Sequence, residues 1–398
     1  MSAVSELAAA EGVPSSLRDA TVVLVGNHTE DRLLSMERYA RMLYNGLTAR
    51  HVRVLLIHPT AWVENWSPLP AWAKKYARYL DKYFLSPLRW PGLLHKIRRG
   101  GPVIVHVTDQ GNGLYLPWLR GFPCVVTNHD LLAIRAALGE FPRQYRRRAR
   151  GWGQRAILKS LTLAETVVCV SEQSLEDGRR LLDADKQRFF KVLNAVETSP
   201  NSGVPLTRPA DLPESYVLHV GGSSWYKNRV GVLRIYAAMR RRAPNSPALV
   251  LVGDALNLVE THFMEELGIT ETVIVRQRPP DSYVMAAYAG AEALIFPSIA
   301  EGFGWPILEA MAAGCPVFTS NRAPMTEVGG SVAEYIDPEN PEAAATLILQ
   351  CLAQGPEWRK AKSEAGRSWA ATFTPDRMIT EMLEVYAATL NRHKGPSL

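Results

Sequence analysis

Short runs of branched apolar residues alternate with longer mixed stretches along the whole chain. In the first half these runs occupy residues 21–27, 52–59, 103–108, 124–130, 166–171 and 188–196. In the second half they occupy residues 216–222, 248–254, 272–278, 293–298, 316–320 and 333–337. Apolar strands separated by helical stretches are typical of a parallel sheet that is covered on both faces. The pattern therefore predicts an α/β protein with two doubly wound domains.

A stretch rich in Pro, Ser and Gly, ETSPNSGVPLTRPADLPES (197–215), separates the two sets of runs. This composition is typical of a linker between domains. We predict a first domain over residues 1–200, a linker over 201–212 and a second domain over 213–374. The last amphipathic stretch, residues 375–393, is predicted to be a helix.

The bulk composition is typical of a globular protein. The chain has 398 residues, of which 47% are hydrophobic and 21% charged, and this length suits two domains of about 100–200 residues each. No run approaches the roughly 18 uninterrupted apolar residues that a membrane span needs, and the N-terminal residues do not resemble a secretory signal. The four cysteines lack metal-ligand spacing, so we expect free thiols and a cytoplasmic location.

Positive charge is concentrated in the first half of the chain. Residues 1–200 hold 28 Lys/Arg and 18 Asp/Glu, a net charge of +10, and residues 201–398 hold 17 and 21, a net charge of −4. The segments 72–85, 92–100 and 143–150 interleave basic residues with aromatic or apolar ones. Such segments fit an anionic membrane surface or a merely solvated face. No nucleic-acid reading motif accompanies them, so nucleic acid is not an expected partner.

Two glutamates, Glu301 and Glu309, flank a glycine-containing turn in PSIAEGFGWPILEAMAAGCPV (297–317). Gly302 and Gly304 have no Cβ, so their backbone amides can approach a ligand closely. The proline that follows favours the start of a helix, whose N-terminus attracts anions. Together these groups suit a ligand that carries phosphates and hydroxyls. The spacing alone fits equally well an ordinary helix in which one glutamate caps the N-terminus and the other lies on the surface.

Other candidate ligand contacts also follow strands directly, where ligands collect in such sheets. GGSSWYKN (221–228) offers backbone amides and the mobile cation of Lys227 for a diphosphate, although an exposed lysine in a helix-start turn is the alternative. His129 in TNHDLLA (127–133) is either a ligand contact or a histidine that packs at a strand end.

The segment around Glu301, with ALIF (293–296) before it and SNRAPMTEVGGSVAEYIDPENPEAAA (320–345) after it, resembles the donor-site signature of family-four retaining glycosyltransferases. About forty consecutive residues follow that family's order, and a weaker resemblance extends over most of the chain. The resemblance implies the GT-B fold, in which two Rossmann-like domains face each other across a cleft. It also implies that the helix 375–393 packs back on the first domain.

The resemblance further implies a reaction. A hexose, with mannose favoured, would move from a nucleotide-diphosphate sugar to a hydroxyl of a glycan or lipid-linked acceptor, with retention of configuration and without a metal or cofactor. The enzyme would belong to polysaccharide biosynthesis and act in the cytoplasm, at the inner face of the membrane.

By the same resemblance, each candidate residue acquires a role. Glu309 would hold the ribose, and Glu301 with the amides of Gly302, Phe303 and Gly304 would hold the donor sugar. Lys227, with Gly222 and Asn228 beside it, would offset the charge on the leaving diphosphate, and His129 would position the sugar. Asn27 would contact phosphate, and Arg276 would lie near the nucleotide base.

The chain also departs from the family pattern. Tyr226 stands where a common variant has Arg, and GNHTEDRLLSME (26–37) replaces a Gly-Gly pair after the first strand. Asp183 and Asp185 are interpreted as a helix-end turn and not as metal ligands. These departures leave open a non-catalytic nucleotide-sugar-binding scaffold subunit. A GT-B sugar epimerase or phosphorylase, for which the sequence shows no specific signal, is the other alternative.

Overall fold

The structure is a computed structural model that describes residues 12–31, 33–65, 70–142, 151–182, 188–196 and 207–393. The chain divides into two compact units, one running to Asn194 and resuming at Pro375, the other formed by Ala195–Thr374. The predicted segments 143–150 and 197–206, as well as Asp183 and Asp185, lie outside the described residues.

The first unit is built on a six-stranded parallel sheet. Its strands are β1 (Thr21–Val25), β2 (Arg53–Ile57), β3 (Val103–Val107), β4 (Cys124–Asn128), β5 (Thr166–Cys169) and β6 (Phe189–Lys191). They lie in the order β2-β1-β3-β4-β5-β6. Its helices before the second unit are α1 (Leu34–Ala49), α2 (Ala71–Leu80), α3 (Ser86–Arg98), α4 (Leu132–Leu138), α5 (Gly151–Leu161) and α6 (Glu172–Leu182). A π-helical turn, Asp81–Leu85, joins α2 to α3, and Gln110–Leu119 forms 3₁₀ helix.

The second unit repeats this plan. Its strands are β7 (Tyr216–Gly221), β8 (Ala248–Gly253), β9 (Val273–Gln277), β10 (Ala293–Phe296), β11 (Val317–Ser320) and β12 (Glu334–Ile336), in the order β12-β11-β10-β7-β8-β9. Its helices are α7 (Arg229–Arg242), α8 (Leu258–Glu266), α9 (Asp281–Gly290), α10 (Trp305–Ala313), α11 (Met325–Gly329), α12 (Pro341–Leu352) and α13 (Pro356–Ala370). Every predicted apolar run contains one of the twelve strands, so the prediction of two doubly wound sheets is confirmed.

Strands in the middle of each sheet are apolar on both faces because helices cover both sides. All residues of β3, β4 and β10 are buried, and they form the centre of the two cores with side chains from the surrounding helices. This burial explains why the runs read as continuous apolar segments and not as alternating ones.

The strand order reverses once in each sheet, and these reversals position the candidate site. In the first sheet the chain leaves β1 in one direction to β2 and then crosses to β3, so the reversal lies between β1 and β3. In the second sheet the corresponding reversal lies between β7 and β10. Ligands of such sheets bind outside the carboxyl ends of the strands at this switch point. The loops after β1, β3, β7 and β10 are therefore the places where function is expected.

The last helix, α14 (Pro375–His393), packs on the first unit. Tyr386 Oη lies 2.7 Å from Nδ1 of His106 on β3, and Thr389 Oγ1 lies 2.8 Å from Oγ1 of Thr166 on β5. Its apolar face is buried there, which accounts for the amphipathic spacing.

Residues 207–212, which the sequence assigns to the linker, lie against the second unit. Leu212 is buried, and Asp211 pairs with Arg276 at 2.8 Å. A methyl group at Gly290 would meet the Arg208 side chain at 2.8 Å, so these two residues are in close contact. Leu212 and Asp211 therefore fix the end of this segment to the second unit, one by burial and the other by an ion pair.

Candidate active site

Helix α10 begins and ends where its sequence predicts. Gly304 precedes it with φ +105°, in the left-handed region that favours glycine, and Pro306 is its second residue. Gly314 ends it with φ +80°. The N-terminus of the helix therefore lies directly after the loop that carries Glu301.

Glu301 forms an ion pair with Lys227 at the switch point of the second sheet. Lys227 Nζ lies 2.8 Å from Oε1 and 3.0 Å from Oε2 of Glu301. The Glu301 side chain is 7% exposed and that of Lys227 is 18% exposed, so the pair is largely shielded from solvent. Lys227 Nζ also lies 5.2 Å from the ring centroid of Phe296 and 5.7 Å from that of Tyr226, within reach of cation–π attraction. The structure thus joins two predicted residues that are 74 positions apart in the sequence.

Asn228 fixes the backbone beside Lys227. It adopts φ +56° and caps α7, where its Oδ1 accepts from the Gly231 amide at 3.2 Å. Its Nδ2 donates to the carbonyl oxygens of Pro297 at 2.9 Å and Pro338 at 3.3 Å. The Asn228 side chain therefore ties the loop after β7 to the loop after β10, and its visible role is to position Lys227.

Glu309 lies in the second turn of α10 and is 9% exposed. Tyr288 on α9 donates its hydroxyl to Glu309 Oε2 at 3.1 Å. Phe303 is 4% exposed and packs edge-on against Phe373, with ring centroids 6.4 Å apart. The Phe303 side chain thus belongs to the core, and only its backbone could meet a ligand.

The loop after β7 has little free space. A Cβ at Gly222 would lie 2.8 Å from Oδ2 of Asp254, which also accepts from the Ser223 amide at 3.1 Å. Arg278 donates to the other oxygen of Asp254 at 2.7 Å. The sequence analysis did not single out Asp254 and Arg278, although each is the last residue of an apolar run and directly follows a strand, which is the signal that could have found them.

Two arginines near the candidate site, Arg276 and Arg229, have partners within the second unit. Arg276 donates to the Asp211 side chain at 2.8 Å and to the Tyr283 hydroxyl oxygen at 3.2 Å, which fastens residue 211 to β9. Arg229 is 3% exposed, and its Nη1 donates to the Asp254 carbonyl oxygen at 3.1 Å.

In the first unit, Asn27 lies in a buried network at the switch point between β1 and β3. Its Nδ2 donates to Asp109 Oδ2 at 2.9 Å, and its Oδ1 accepts from Asn112 Nδ2. Asp109 also accepts from the Gly111 amide at 2.7 Å. The Asn27 side chain thus cross-links two loops, a contact that the sequence did not predict.

His129 follows β4 and is buried with its ring fixed. Its Nε2 lies 2.9 Å from the Thr108 carbonyl oxygen, which can only accept, so the neutral ring carries its proton on Nε2. Tyr39 contacts the ring edge-on at 4.7 Å between centroids. Burial lowers the pKa of His129, although nearby Asp109 opposes the shift. The ring therefore presents Nδ1 as an acceptor at neutral pH.

Among the described residues, no group of three or more His, Cys, Asp or Glu side chains is placed to hold a metal ion. Within the same ranges no helix combines the length and the hydrophobicity that crossing a membrane would require. The four cysteines are buried and unbridged.

Two family models match the chain. Residues 208–369 match glycosyl transferases group 1, and residues 36–200 match glycosyltransferase family 4. The O-antigen chain mannosyltransferase B of Escherichia coli is 28% identical over 289 residues, which cover 70% of this chain and 73% of that protein.

Two solved structures share the fold. Sucrose-phosphate synthase from Thermosynechococcus elongatus superposes with a TM-score of 0.68 at 19% identity, over 94% of this chain and 100% of that one. The Anabaena protein HepE, solved in complex with UDP and glucose, superposes with a TM-score of 0.63 at 15% identity, over 92% and 99% of the two chains. At such identities the likeness supports the fold alone.

Proposed function

Since this chain belongs to the family-four glycosyltransferases and has their two-domain, Rossmann-like GT-B fold, we propose that it transfers a hexose from a nucleotide-diphosphate sugar to a hydroxyl of a glycan or lipid-linked acceptor. The configuration at the transferred carbon is retained, and no metal takes part. Mannose is the favoured sugar because the Escherichia coli relative is named as a mannosyltransferase.

The single observation that carries this proposal is the Lys227–Glu301 pair at the switch point of the second sheet. Breaking the bond between sugar and diphosphate leaves negative charge on the diphosphate, and a fixed cation stabilises that charge most where water is excluded. The N-terminus of α10 adds the positive end of its dipole beside the same loop.

Carboxylates suit the sugar and ribose hydroxyls of the donor. Glu301 and Glu309 are largely buried, and an ionised carboxylate offers only acceptor sites, which hydroxyl groups can fill. When the donor is bound, Lys227 is shared between Glu301 and the diphosphate. The ion pair thus holds both groups in place before the substrate arrives.

His129 contributes as a neutral positioning group. A ring held neutral by burial accepts a hydrogen bond from a sugar hydroxyl without adding charge. It need not act as a base, because a retaining reaction of this kind uses a phosphate oxygen of the donor to take the proton of the acceptor.

The experiment compares sugar transfer by the wild-type protein and by Glu301→Ala, with GDP-mannose and UDP-glucose as donors. We expect Glu301→Ala to lower turnover by about two or more orders of magnitude while the circular dichroism spectrum is unchanged. Glu357→Ala, which removes an exposed carboxylate of the same unit, is the matched control and keeps full activity. Full activity of Glu301→Ala would remove this residue from the site, and an inverted product would refute retention.

We also propose that the enzyme works at the inner face of an anionic membrane. Support comes from an exposed apolar stripe on α2, the π turn and α3, where Trp72, Tyr76, Phe84 and Leu88 are 73%, 68%, 58% and 60% exposed. Aromatic side chains that alternate with lysines on one helical surface favour the interface between lipid and water.

A further inference from the structure

A cavity of about 500 Å³ lies beside α2 in the first unit. Four cationic side chains and two carboxylates line it: Lys74, Lys75, Arg78, Lys82, Asp31 and Glu64. Lys82 pairs with Asp31 at 2.5 Å, and Arg78 pairs with Glu64 at 2.8 Å. Lys74 and Lys75 are exposed and have no ion-pair partner within the part of the chain that the structure describes. The cavity therefore carries two uncompensated positive charges.

Lys82 remains charged although its side chain is only 11% exposed. Burial lowers the pKa of Lys82, but neighbouring Tyr83 and the hydrogen bond to Asp31 raise it, and the net direction is upward. The cavity thus combines a shielded cation with two solvated ones, which is a suitable arrangement for a phosphate group.

Glu64, which lines the cavity, has a buried neighbour behind it, His28, and the donor of one does not reach the acceptor of the other. His28 is fully buried, and its Nδ1 accepts from the Glu30 amide at 3.2 Å, which leaves the proton of the neutral ring on Nε2. That Nε2 lies 3.8 Å from Oε2 of Glu64, too far for a hydrogen bond. Among the described residues neither atom has a hydrogen-bond partner.

Buried polar atoms without a hydrogen-bond partner lower the stability of the fold. A group that bridges His28 and Glu64 would remove this penalty. A hydroxyl between the two atoms would donate to the carboxylate and accept from the imidazole. A hydroxyl of a sugar or polyol therefore matches the gap, beside cations that match a phosphate.

The cavity lies where a substrate of this fold is expected. His28 follows β1, and Glu64 lies in the segment that follows β2, and these adjacent strands are parallel. Asn27, the neighbour of His28, is bonded to Asp109 across the switch point of the sheet. Asp31 and Glu64 place the cavity beyond the carboxyl ends of β1 and β2, next to the strand pair where the order reverses.

We propose that this cavity binds the acceptor of the transfer reaction, and that the acceptor is a phosphorylated sugar or polyol. Its phosphate lies among Lys74, Lys75 and Lys82, and one of its hydroxyls bridges His28 and Glu64. This inference rests on the proposed function. The phosphate belongs either to a soluble sugar phosphate or to a lipid headgroup, since α2 carries both the cavity lysines and the exposed stripe.

The first test measures binding without a donor, by titration calorimetry with inorganic phosphate, glucose 6-phosphate and glucose. We expect the two phosphates to bind, glucose alone not to bind, and Lys74→Gln/Lys75→Gln to weaken phosphate binding by about tenfold. The matched control, Arg155→Gln/Lys159→Gln, removes the same charge from exposed positions of α5, outside the cavity, and keeps the wild-type affinity. Equal losses in both double variants, or no phosphate binding by the wild type, would overturn the proposal.

A second variant tests the hydroxyl contact. Glu64→Gln should weaken glucose 6-phosphate binding but not inorganic phosphate binding, because only the sugar has a hydroxyl for the gap. Equal weakening of both would refute this part of the proposal, because the change would then act only through the partner of Glu64, Arg78.

Vesicles identify the source of the phosphate. Binding to phosphatidylcholine vesicles that contain phosphatidic acid, lost in Lys74→Gln/Lys75→Gln but kept in Arg155→Gln/Lys159→Gln, would assign the site to a lipid headgroup. Binding of glucose 6-phosphate alone would assign it to a soluble acceptor. A protein that transfers sugar to phosphate-free acceptors with undiminished rate in Lys74→Gln/Lys75→Gln refutes this site and leaves the proposed function standing. A protein that binds phosphate as expected but transfers no sugar would refute the proposed function and leave this binding site standing.

Discussion

The conformation of Asn228 links backbone geometry to the position of the Lys227 cation. Residues with a Cβ rarely adopt φ near +56°, and asparagine tolerates it better than most. Three hydrogen bonds of the side chain stabilise this conformation, one to the helix it caps and two to carbonyl oxygens of other loops. Lys227, which immediately precedes it, is thereby held where it meets Glu301.

Two substitutions separate the backbone from the side chain at this position. Asn228→Gly relieves the positive φ but removes the cap and both cross-links, whereas Asn228→Ala also adds strain. We expect Asn228→Gly to lower the free energy of unfolding by about 1–2 kcal/mol and Asn228→Ala by about 1 kcal/mol more. Urea denaturation measures both values, and the KM for the donor should rise in each. Unchanged KM in both variants would show that Lys227 does not depend on this anchor.

At this scale, local motifs predicted Lys227 and Glu301 correctly as neighbours of strand ends, because strand ends are visible in the sequence. The surroundings of Asn27 and Arg276 were not predictable in the same way. The partner of Asn27, Asp109, is 82 residues away, and the partner of Arg276, Asp211, is 65 residues away. Whether either residue also contacts the donor stays a prediction.

Among the elements, the strands were readable from the sequence because burial on both faces leaves a continuous apolar run. The segment from α2 to α3 was not, since it exposes apolar side chains and contains a π turn. Asp81 in that turn is fully buried and accepts from the amides of Val63 and Glu64, at 3.1 and 2.8 Å. An aspartate that organises a loop from inside a helix leaves no local pattern.

The exposed stripe of α2 predicts a measurable membrane affinity. Trp72 is 73% exposed, and replacing it with serine removes a large amphipathic group from the lipid side. We expect Trp72→Ser to reduce co-sedimentation with phosphatidylglycerol vesicles by roughly fivefold or more, at an unchanged melting temperature.

Trp152 on α5 provides the control for this change, because it is 75% exposed but lies outside the stripe. Trp152→Ser should bind vesicles as the wild type does. An equal loss of vesicle affinity in both variants would show that the stripe contributes no more than any exposed tryptophan. No loss in either variant would show that α2 is a solvated helix without membrane contact. High salt should weaken the binding that remains, since lysines flank the stripe.

Over the whole molecule, each unit buries a neutral histidine in its sheet. His106 on β3 contacts Tyr386 and Thr127 at 2.7 Å each, and His219 on β7 contacts the Ile295 carbonyl oxygen at 2.9 Å. Burial lowers the pKa of each of these histidines to about 3. Both units therefore fold around an imidazole that cannot take up a proton without losing stability.

The sign of the resulting pH dependence follows from proton binding. Between about pH 6.5, where an unfolded histidine titrates, and pH 3, the unfolded chain binds a proton that the folded unit does not. The stability of each unit is thus fully present above about pH 6.5 and falls with decreasing pH by about 1.4 kcal/mol per pH unit for each such histidine.

The substitution His219→Gln tests this dependence in one unit, because the amide of glutamine can still donate to the Ile295 carbonyl oxygen. Hydrogen exchange of peptides from β7 and β8, measured between about pH 7 and about pH 5, reports the opening free energy of the second unit alone. We expect His219→Gln to reduce its pH slope by about 1.4 kcal/mol per pH unit and to leave the slope of β3 and β4 unchanged. His262→Gln, at an exposed position of the same unit, should change neither slope. Equal slopes in His219→Gln and the wild type would refute the prediction, because they would show that His219 binds a proton as readily in the folded unit as in the unfolded chain.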